Sequence, residues 1–389
     1  MSPESGGTSQ GVRNTNNELI KLGVYIEVAC MDDPAASFLN SDSFTIYALG
    51  PCKTPWQYAK NLLPWLIKNI PRFDVVIVNG LWLYHGYAVR KAMVHLKKAE
   101  SIPGRKIFNQ KYFVMPHGML DPYFQHAKGR VLKAIRNFFY WSIIESKLVN
   151  NCDGLLFTSE TELNLARRAF NPYRPKKEIN VGYGTFTPPL YNIDMRDAFL
   201  KKCNHLSSTP YILFIGRIDE KKGVASLIKA YINILKTSID VDIPKLVIAG
   251  PGLNTQYGRE MLKLAAPAAG AIVFTGMLTG DAKWGAFYGC QAFILPSHQE
   301  NFGIAVVEAL ACSKPVLISN QVNIWREVKL EGCGIVAADT LEGTAELLSV
   351  WNNVPYEEKV DMGMYARFCF EKFYDITNVS IKFLEAIKS

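Results

Sequence analysis

Two carboxylates, Glu300 and Glu308, stand with seven residues between them in the stretch QAFILPSHQENFGIAVVEALACSKPV, Gln291–Val316. An apolar run, Ala292–Leu295, leads into a polar loop, Pro296–Asn301, and a helix is expected to open at about Phe302–Gly303. That is the strand–loop–helix unit of a parallel α/β sheet, whose ligands bind at the carboxyl ends of the strands. Helical side chains lean towards the N-terminus, so Glu308 can face the same crevice as Glu300. The amides of Phe302, Gly303 and Ile304 and the positive end of the helix dipole suit phosphate. Backbone for an anion and two carboxylates for hydroxyl groups together describe a nucleotide-sugar site. Chance spacing of surface glutamates is the competing reading.

A second cluster follows the apolar run Tyr211–Ile215, in GRIDEKKG, Gly216–Gly223. Arg217 offers a planar fork to phosphate and Lys222 a point charge. A solvated loop of alternating charge, Asp219 to Lys222, is the plainer alternative. Two more strand-end loops are IAGPG, with Gly250, and FTGML, with Met277 and Leu278. Neither carries the GxGxxG of a dinucleotide site. In the first half, His117 follows a buried strand in the loop PHGMLDPYF, which also holds Asp121 and Tyr123. His85 lies in GLWLYHG. Asp121 could serve an acceptor or cap a turn before Pro122. Asp240-Val241-Asp242 has the short DxD form of a metal site, but it precedes the strand Lys245–Ala249, at the wrong end for a ligand.

These residues need strands to hold them. At 389 residues, 49% apolar and 20% charged, the chain suits two globular domains. No apolar run reaches the ~18 residues of a membrane span, and no signal-peptide pattern is present. Eight scattered cysteines without CxxC spacing read as reduced thiols of a cytosolic protein. Positive charge is concentrated early. Met1–Leu190 holds 23 Lys and Arg against 14 Asp and Glu, leaving 20 against 21 for the remainder. An anionic membrane face or an acidic acceptor fits that excess, and no nucleic-acid module is recognisable.

Strands alternate with helices on both sides of a Pro- and Ser-rich stretch between Gly182 and Pro210. The expected domains are 1–186, a linker 187–209, a second domain 210–366 and a terminal helix 367–389. In the first, strands are expected at 24–30, 44–49, 74–79, 111–115 and 154–159. A helix is expected at Trp56–Ile70. A basic, aromatic helix at Arg130–Lys147 could lie on an anionic membrane or pack its aromatic side in the core. The chain opens with Gly6-Gly7 in a loop before a helix, where a doubly wound domain ordinarily places a strand first.

The segment around Glu300 resembles the retaining glycosyltransferases of family 4. Ser297, Glu300, Phe302, Gly303, Glu308, Ala309, Ala311, Pro315 and Val316 match its pattern, and Asn301 and Ser313 replace two of its glycines. Gly216, Arg217 and Lys222 match the family's G-R-x-x-x-x-K-G. The resemblance implies a GT-B fold, two Rossmann-like domains facing each other across a cleft, with the last helix crossing back to the first domain. It implies that Arg217 and Lys222 hold the donor diphosphate, that Glu308 binds ribose and that Glu300 lies against the donor sugar. It places Met277 and Leu278 by the base, His117 by the transferred sugar, and Gly6 and Gly7 near donor phosphate and acceptor. His85, Asp121 and Tyr123 become acceptor-side candidates. The PHGMLDPYF loop resembles members that assemble exopolysaccharide, such as the heterocyst envelope polysaccharide glucosyltransferases of cyanobacteria. The implied activity is metal-independent transfer of a hexose, glucose from UDP-glucose, to a saccharide or lipid-linked acceptor, without a cofactor. A nucleotide-sugar epimerase and a silent sugar- or lipid-binding subunit are the rival classes.

Overall fold

Apolar, β-branched runs such as VVIV (75–78) and YILFI (211–215) form parallel strands, with amphipathic helices between them. In the computed structural model, the described residues are 1, 7–40, 42–52, 54–100, 108–126, 131–203, 206, 209–237 and 242–388. They divide into two units, one of Met1–Gly184 with Ile376–Ser389, the other of Thr185–Asp375.

The first unit holds β1 (Glu27–Cys30), β2 (Thr45–Ala48), β3 (Val75–Asn79), β4 (Lys111–Met115), β5 (Gly154–Phe157) and β6 (Glu178–Asn180). All pairings are parallel, in two separate sheets, β1-β2 and β3-β4-β5-β6. Val114, Leu155, Phe157, Trp141 and Leu148 are fully buried in its core. The last helix, Ile376–Lys388, packs on the helix Gly7–Lys21, and the Thr377 hydroxyl donates to Glu18 Oε1 at 2.9 Å. The chain from 367 to 375 stays with the second unit, so the change of unit falls at the break after Phe373, later than 367.

The second unit is one six-stranded parallel sheet of β7 (Tyr211–Ile215), β8 (Lys245–Ala249), β9 (Ile272–Gly276), β10 (Ala292–Leu295), β11 (Val316–Ser319) and β12 (Gly334–Ala337). The order is β12-β11-β10-β7-β8-β9. Strand order reverses between β7 and β10, the place where open α/β sheets bind ligands. Residues 187–209 do not stand apart as a linker. Asn192 caps the helix Ile193–Leu200, which packs against the helix Gly280–Gly289 so closely that a Cβ on Gly285 would lie 2.0 Å from the Met195 carbonyl oxygen.

Local differences have local causes. The stretch expected as the helix Trp56–Ile70 is helical only over Leu62–Asn69. Trp56 instead packs edge-on to Tyr84, and its indole donates to the Tyr140 hydroxyl. The expected helix Arg130–Lys147 runs as Val131–Tyr140, a single π-helical turn Trp141–Glu145, and Ser146–Asn151. Ile135, Phe138, Phe139 and Ile143 are exposed on it, while Trp141 is fully buried. No described helix is long and apolar enough to cross a membrane.

The π-helical turn carries the buried Glu145, whose Oε1 accepts from the Trp82 amide at 2.7 Å and whose Oε2 has no partner. Burial pushes its carboxyl from 4.5 up to about 7, and the Trp82 hydrogen bond only partly opposes this. A raised carboxyl pKa favours the fold fully below pH about 4.5, and that contribution is lost as pH rises through about 7. The first unit is therefore expected to lose on the order of 3 kcal/mol between pH 5 and pH 8 from this group. Glu145→Gln should flatten that slope in urea unfolding series, and an unchanged slope would remove Glu145 from the cause.

Candidate active site

The loops after β7 and β10 interlock at the switch point. Gly216 donates its amide to the Ala249 carbonyl at 3.0 Å, and Ile218 to Pro251 at 2.9 Å. Gly250, at φ 144, comes so close that a Cβ there would lie 1.9 Å from the Gly216 oxygen. Gly223, at φ 70, packs on the Pro296 carbonyl, where a Cβ would lie 2.1 Å away, and the His298 amide donates to Lys221 at 2.8 Å. Both glycines are demanded by conformation and by space.

This framework brings the Lys222 ammonium onto the Glu300 carboxylate in a direct, half-buried ion pair. Glu300 is fixed by its backbone, donating to Gln321 and accepting from Asn323, each at 2.9 Å. Asn301 turns its side chain to the Asn323 amide group at 3.3 Å. Arg217 lies on the same loop as Lys222, with its side chain 68% exposed and its guanidinium 3.8 Å from Asp219. Gly303, at φ 80, begins the helix Ile304–Ala311, whose first-turn amides lack intrahelical acceptors. The Phe302 ring is buried against Tyr374, edge-on at 5.7 Å, so Phe302 can offer a ligand only its backbone.

Glu308 is buried and meets Lys283 at 2.5 Å. Burial raises its pKa, while Lys283 works against the shift. The two glutamates thus have separate cations. After β9, Met277 is 67% exposed and Leu278 is buried, so Met277 alone presents a side chain. Lys283 was not anticipated. It is one cation in the helix Gly280–Gly289, and nothing in its neighbours marks it.

In the first unit, His117 takes a left-handed conformation, φ 52, just past β4. Its Nε2 donates to Asn79 Oδ1 at 2.8 Å, and its ring lies edge-on to Tyr183 at 6.0 Å. Burial pushes this imidazole down to about 4, so it is neutral at pH 7, with Nδ1 left as the acceptor. Glu162, buried, holds the loop by accepting from the Gly118 amide, the Thr158 amide at 2.8 Å and the Thr158 hydroxyl at 2.6 Å. Its position in Ser159-x-x-Glu162 signals a helix cap, and the Ser159 hydroxyl does accept from the Glu162 amide at 3.1 Å. That pattern gives no hint of Gly118. Asp121 caps a turn, its Oδ1 accepting from the Tyr123 amide at 2.8 Å. Tyr123 packs edge-on to Phe124 at 5.7 Å. His85 Nε2 faces the carbonyls of Asn79 and Gly80 at 3.1 and 3.2 Å, which makes it an anchor for the end of β3. Gly7 opens the first helix, while Gly6 lies outside the described residues, as do Asp240 and Val241 of the DxD pattern. Among the described residues no His, Cys, Asp and Glu side chains cluster as a metal site.

Residues 195–367, most of the second unit, match the family described as Glycosyl transferases group 1. The chain is a glycosyltransferase. An uncharacterised glycosyltransferase of Methanocaldococcus jannaschii is 26% identical, over 72% of this chain and 79% of its own length. The lipopolysaccharide 1,2-N-acetylglucosaminetransferase of Salmonella typhimurium is 23% identical, over 55% of this chain and 58% of its own. Among solved structures, sucrose-phosphate synthase of Thermosynechococcus elongatus superposes with a TM-score of 0.71 at 18% identity, over 98% of this chain and 93% of its own. HepE of Anabaena, solved with UDP and glucose, gives 0.67 at 14% identity, over 100% and 97%. The glycosyltransferase therefore has the GT-B fold, mixed α/β with parallel sheets.

Proposed function

We propose that this glycosyltransferase moves a hexose, with glucose from UDP-glucose as the leading donor, onto a hydroxyl of a saccharide or lipid-linked acceptor in exopolysaccharide assembly. Transfer retains anomeric configuration and uses no metal ion. One observation carries the reading: the Lys222–Glu300 ion pair at the strand-order reversal of the second sheet, on the loop that also bears Arg217. HepE, a structural neighbour solved with UDP-glucose, supports the choice of donor.

The chemistry follows from charge. The bond between the anomeric carbon and the diphosphate oxygen breaks, and its electron pair leaves with the diphosphate. Arg217, Lys222 and the first-turn amides at Gly303 and Ile304 answer that charge. An arriving diphosphate competes with Glu300 for the Lys222 ammonium, which frees the Glu300 carboxylate to accept from a sugar hydroxyl. Glu308, held by Lys283, accepts from ribose hydroxyls. The acceptor oxygen bonds to the anomeric carbon on the face the diphosphate leaves, and its proton passes to a diphosphate oxygen.

A thermal-shift panel of UDP, GDP, ADP and their glucose conjugates, with and without EDTA, tests donor and metal together. UDP and UDP-glucose are expected to raise the transition selectively, and EDTA to change nothing. Equal responses to all nucleotides would overturn the donor assignment. An EDTA-sensitive response would overturn the metal-independent reading. Epimerised sugar formed without an acceptor would replace transfer by epimerisation.

A further inference from the structure

Asn79 joins two histidines at the carboxyl end of β3. It is the last residue of that strand and pairs in register with Met115, the last residue of β4. Its backbone carbonyl meets His85 Nε2 at 3.1 Å, and the same nitrogen lies 3.2 Å from the Gly80 carbonyl. Its side-chain oxygen meets His117 Nε2 at 2.8 Å. His117 reaches it because the chain turns sharply past β4, through φ 52 at His117 and φ 79 at Gly118. Asn79, His85 and His117 thus form one hydrogen-bonded cluster at strand ends, where open α/β sheets take their ligands.

The bonding fixes where the protons lie. A carbonyl oxygen only accepts, so His85 carries its proton on Nε2. An amide oxygen only accepts too, so the Asn79 side chain imposes the same tautomer on His117. Each ring is left with a lone pair on Nδ1. The His85 Nδ1 is buried and has no partner among the described residues. The His117 hydrogen bond among the described residues is the one to Asn79, so its Nδ1 is uncommitted. A purely structural tie explains little here. Asn79 is exposed and fills no core space, and the β3–β4 ladder already joins the two strands.

We propose that Asn79 is a positioning residue for glycosyl transfer: its side-chain oxygen holds His117 in the Nε2–H tautomer, so that Nδ1 accepts a hydrogen bond from a hydroxyl of the transferred sugar. The part played in transfer rests on the function proposed above, whereas the tautomer rests on the hydrogen bonds alone. The opposite tautomer would present a donor at Nδ1 and lose that bond. Protonation of Nδ1 would lose it as well, and burial, which pushes His117 down to about 4, protects the acceptor into acid pH. The titratable groups around His117 are Tyr183, edge-on at 6.0 Å, Glu162, bound to the neighbouring Gly118 amide, and His85 on the far side of Asn79.

Asn79→Asp and Asn79→Ala test this. Asp keeps the acceptor and adds a negative charge, which favours imidazolium and raises the His117 pKa. Imidazole nitrogen NMR of the enzyme without donor reads the tautomer, and steady-state turnover of UDP-glucose reads the consequence. At about pH 8 the native enzyme and Asn79→Asp are expected to hold His117 as Nε2–H, and Asn79→Ala to show a mixture. At that pH kcat should fall about tenfold in Asn79→Ala and recover in Asn79→Asp. The acid limb of kcat in Asn79→Asp should move up by about 1–3 pH units. An Nδ1–H tautomer in the native enzyme would overturn the proposal, as would a tautomer that reverses between native and Asn79→Asp. Native kcat in Asn79→Ala, with the tautomers mixed, would overturn the positioning role. Absence of UDP-glucose turnover in the native enzyme would count against the proposed donor, and the imidazole spectra would still decide the tautomer.

Discussion

Replacing Arg217 with Ala is expected to lower kcat by on the order of 10²–10³ while leaving the unfolding transitions unmoved. The separation of the two effects comes from the structure. The guanidinium is largely exposed and lies 3.8 Å from Asp219, so its removal opens no cavity and strands no buried charge. The loop that bears it is held by backbone, through Gly216 to Ala249 and Ile218 to Pro251, and survives the loss of the side chain. What disappears is a planar cation that the proposed mechanism sets against the charge of the leaving diphosphate. Arg217→Lys should recover part of the rate, since it restores charge without the fork. Steady-state turnover of UDP-glucose beside a thermal scan of each variant decides the matter. Wild-type turnover in Arg217→Ala would remove this residue from the mechanism. Lys222→Ala is a poorer test, because it also leaves Glu300 without its cation.

Glu162→Ala should cost the first unit about 3 kcal/mol or more, with the His117 loop as the first casualty. Three donors converge on this one carboxylate: the amides of Gly118 and Thr158 and the Thr158 hydroxyl. Glu162 is 2% exposed, so little water can take over. Each buried donor left unsatisfied costs about 1–3 kcal/mol. His117 sits at φ 52, a conformation a non-glycine residue keeps only when its surroundings enforce it, and the Gly118 anchor is the adjacent constraint. Glu162→Gln keeps one acceptor and should fall between the variant and the native chain. Urea unfolding reports the stability. The His117 imidazole resonance should move in Glu162→Ala at native conditions, and an unmoved resonance would separate the carboxylate from the loop.

The alternation of strands and helices was legible in the chain because unbroken apolar runs such as DVVIV and YILFI have no other use in a globular protein. The same holds for Glu300 and for Arg217 with Lys222. Each lies in a loop directly after such a run, and loop chemistry is local. β6, only three residues long, has too little length to show a period. Residues 187–209 read as a linker for a related reason. Pro188-Pro189 and Ser207-Ser208 look like a linker, but whether Ile193–Leu200 stands free depends on a partner helix roughly ninety residues later, which composition does not encode.

The sequence by itself determined which groups are available: two carboxylates, two cations and a helix start at strand ends, because residue type and local period are properties of neighbouring residues. Tertiary structure alone decided who meets whom. Lys222 found Glu300 and Lys283 found Glu308 because β7 and β10 are neighbours across a strand-order reversal and the helix after β9 returns beside them. Glu162 reached Gly118, and β1 stood apart from β3, for the same reason. Each is a meeting of segments far apart in the chain, fixed by the packing of whole sheets and invisible to any window of sequence.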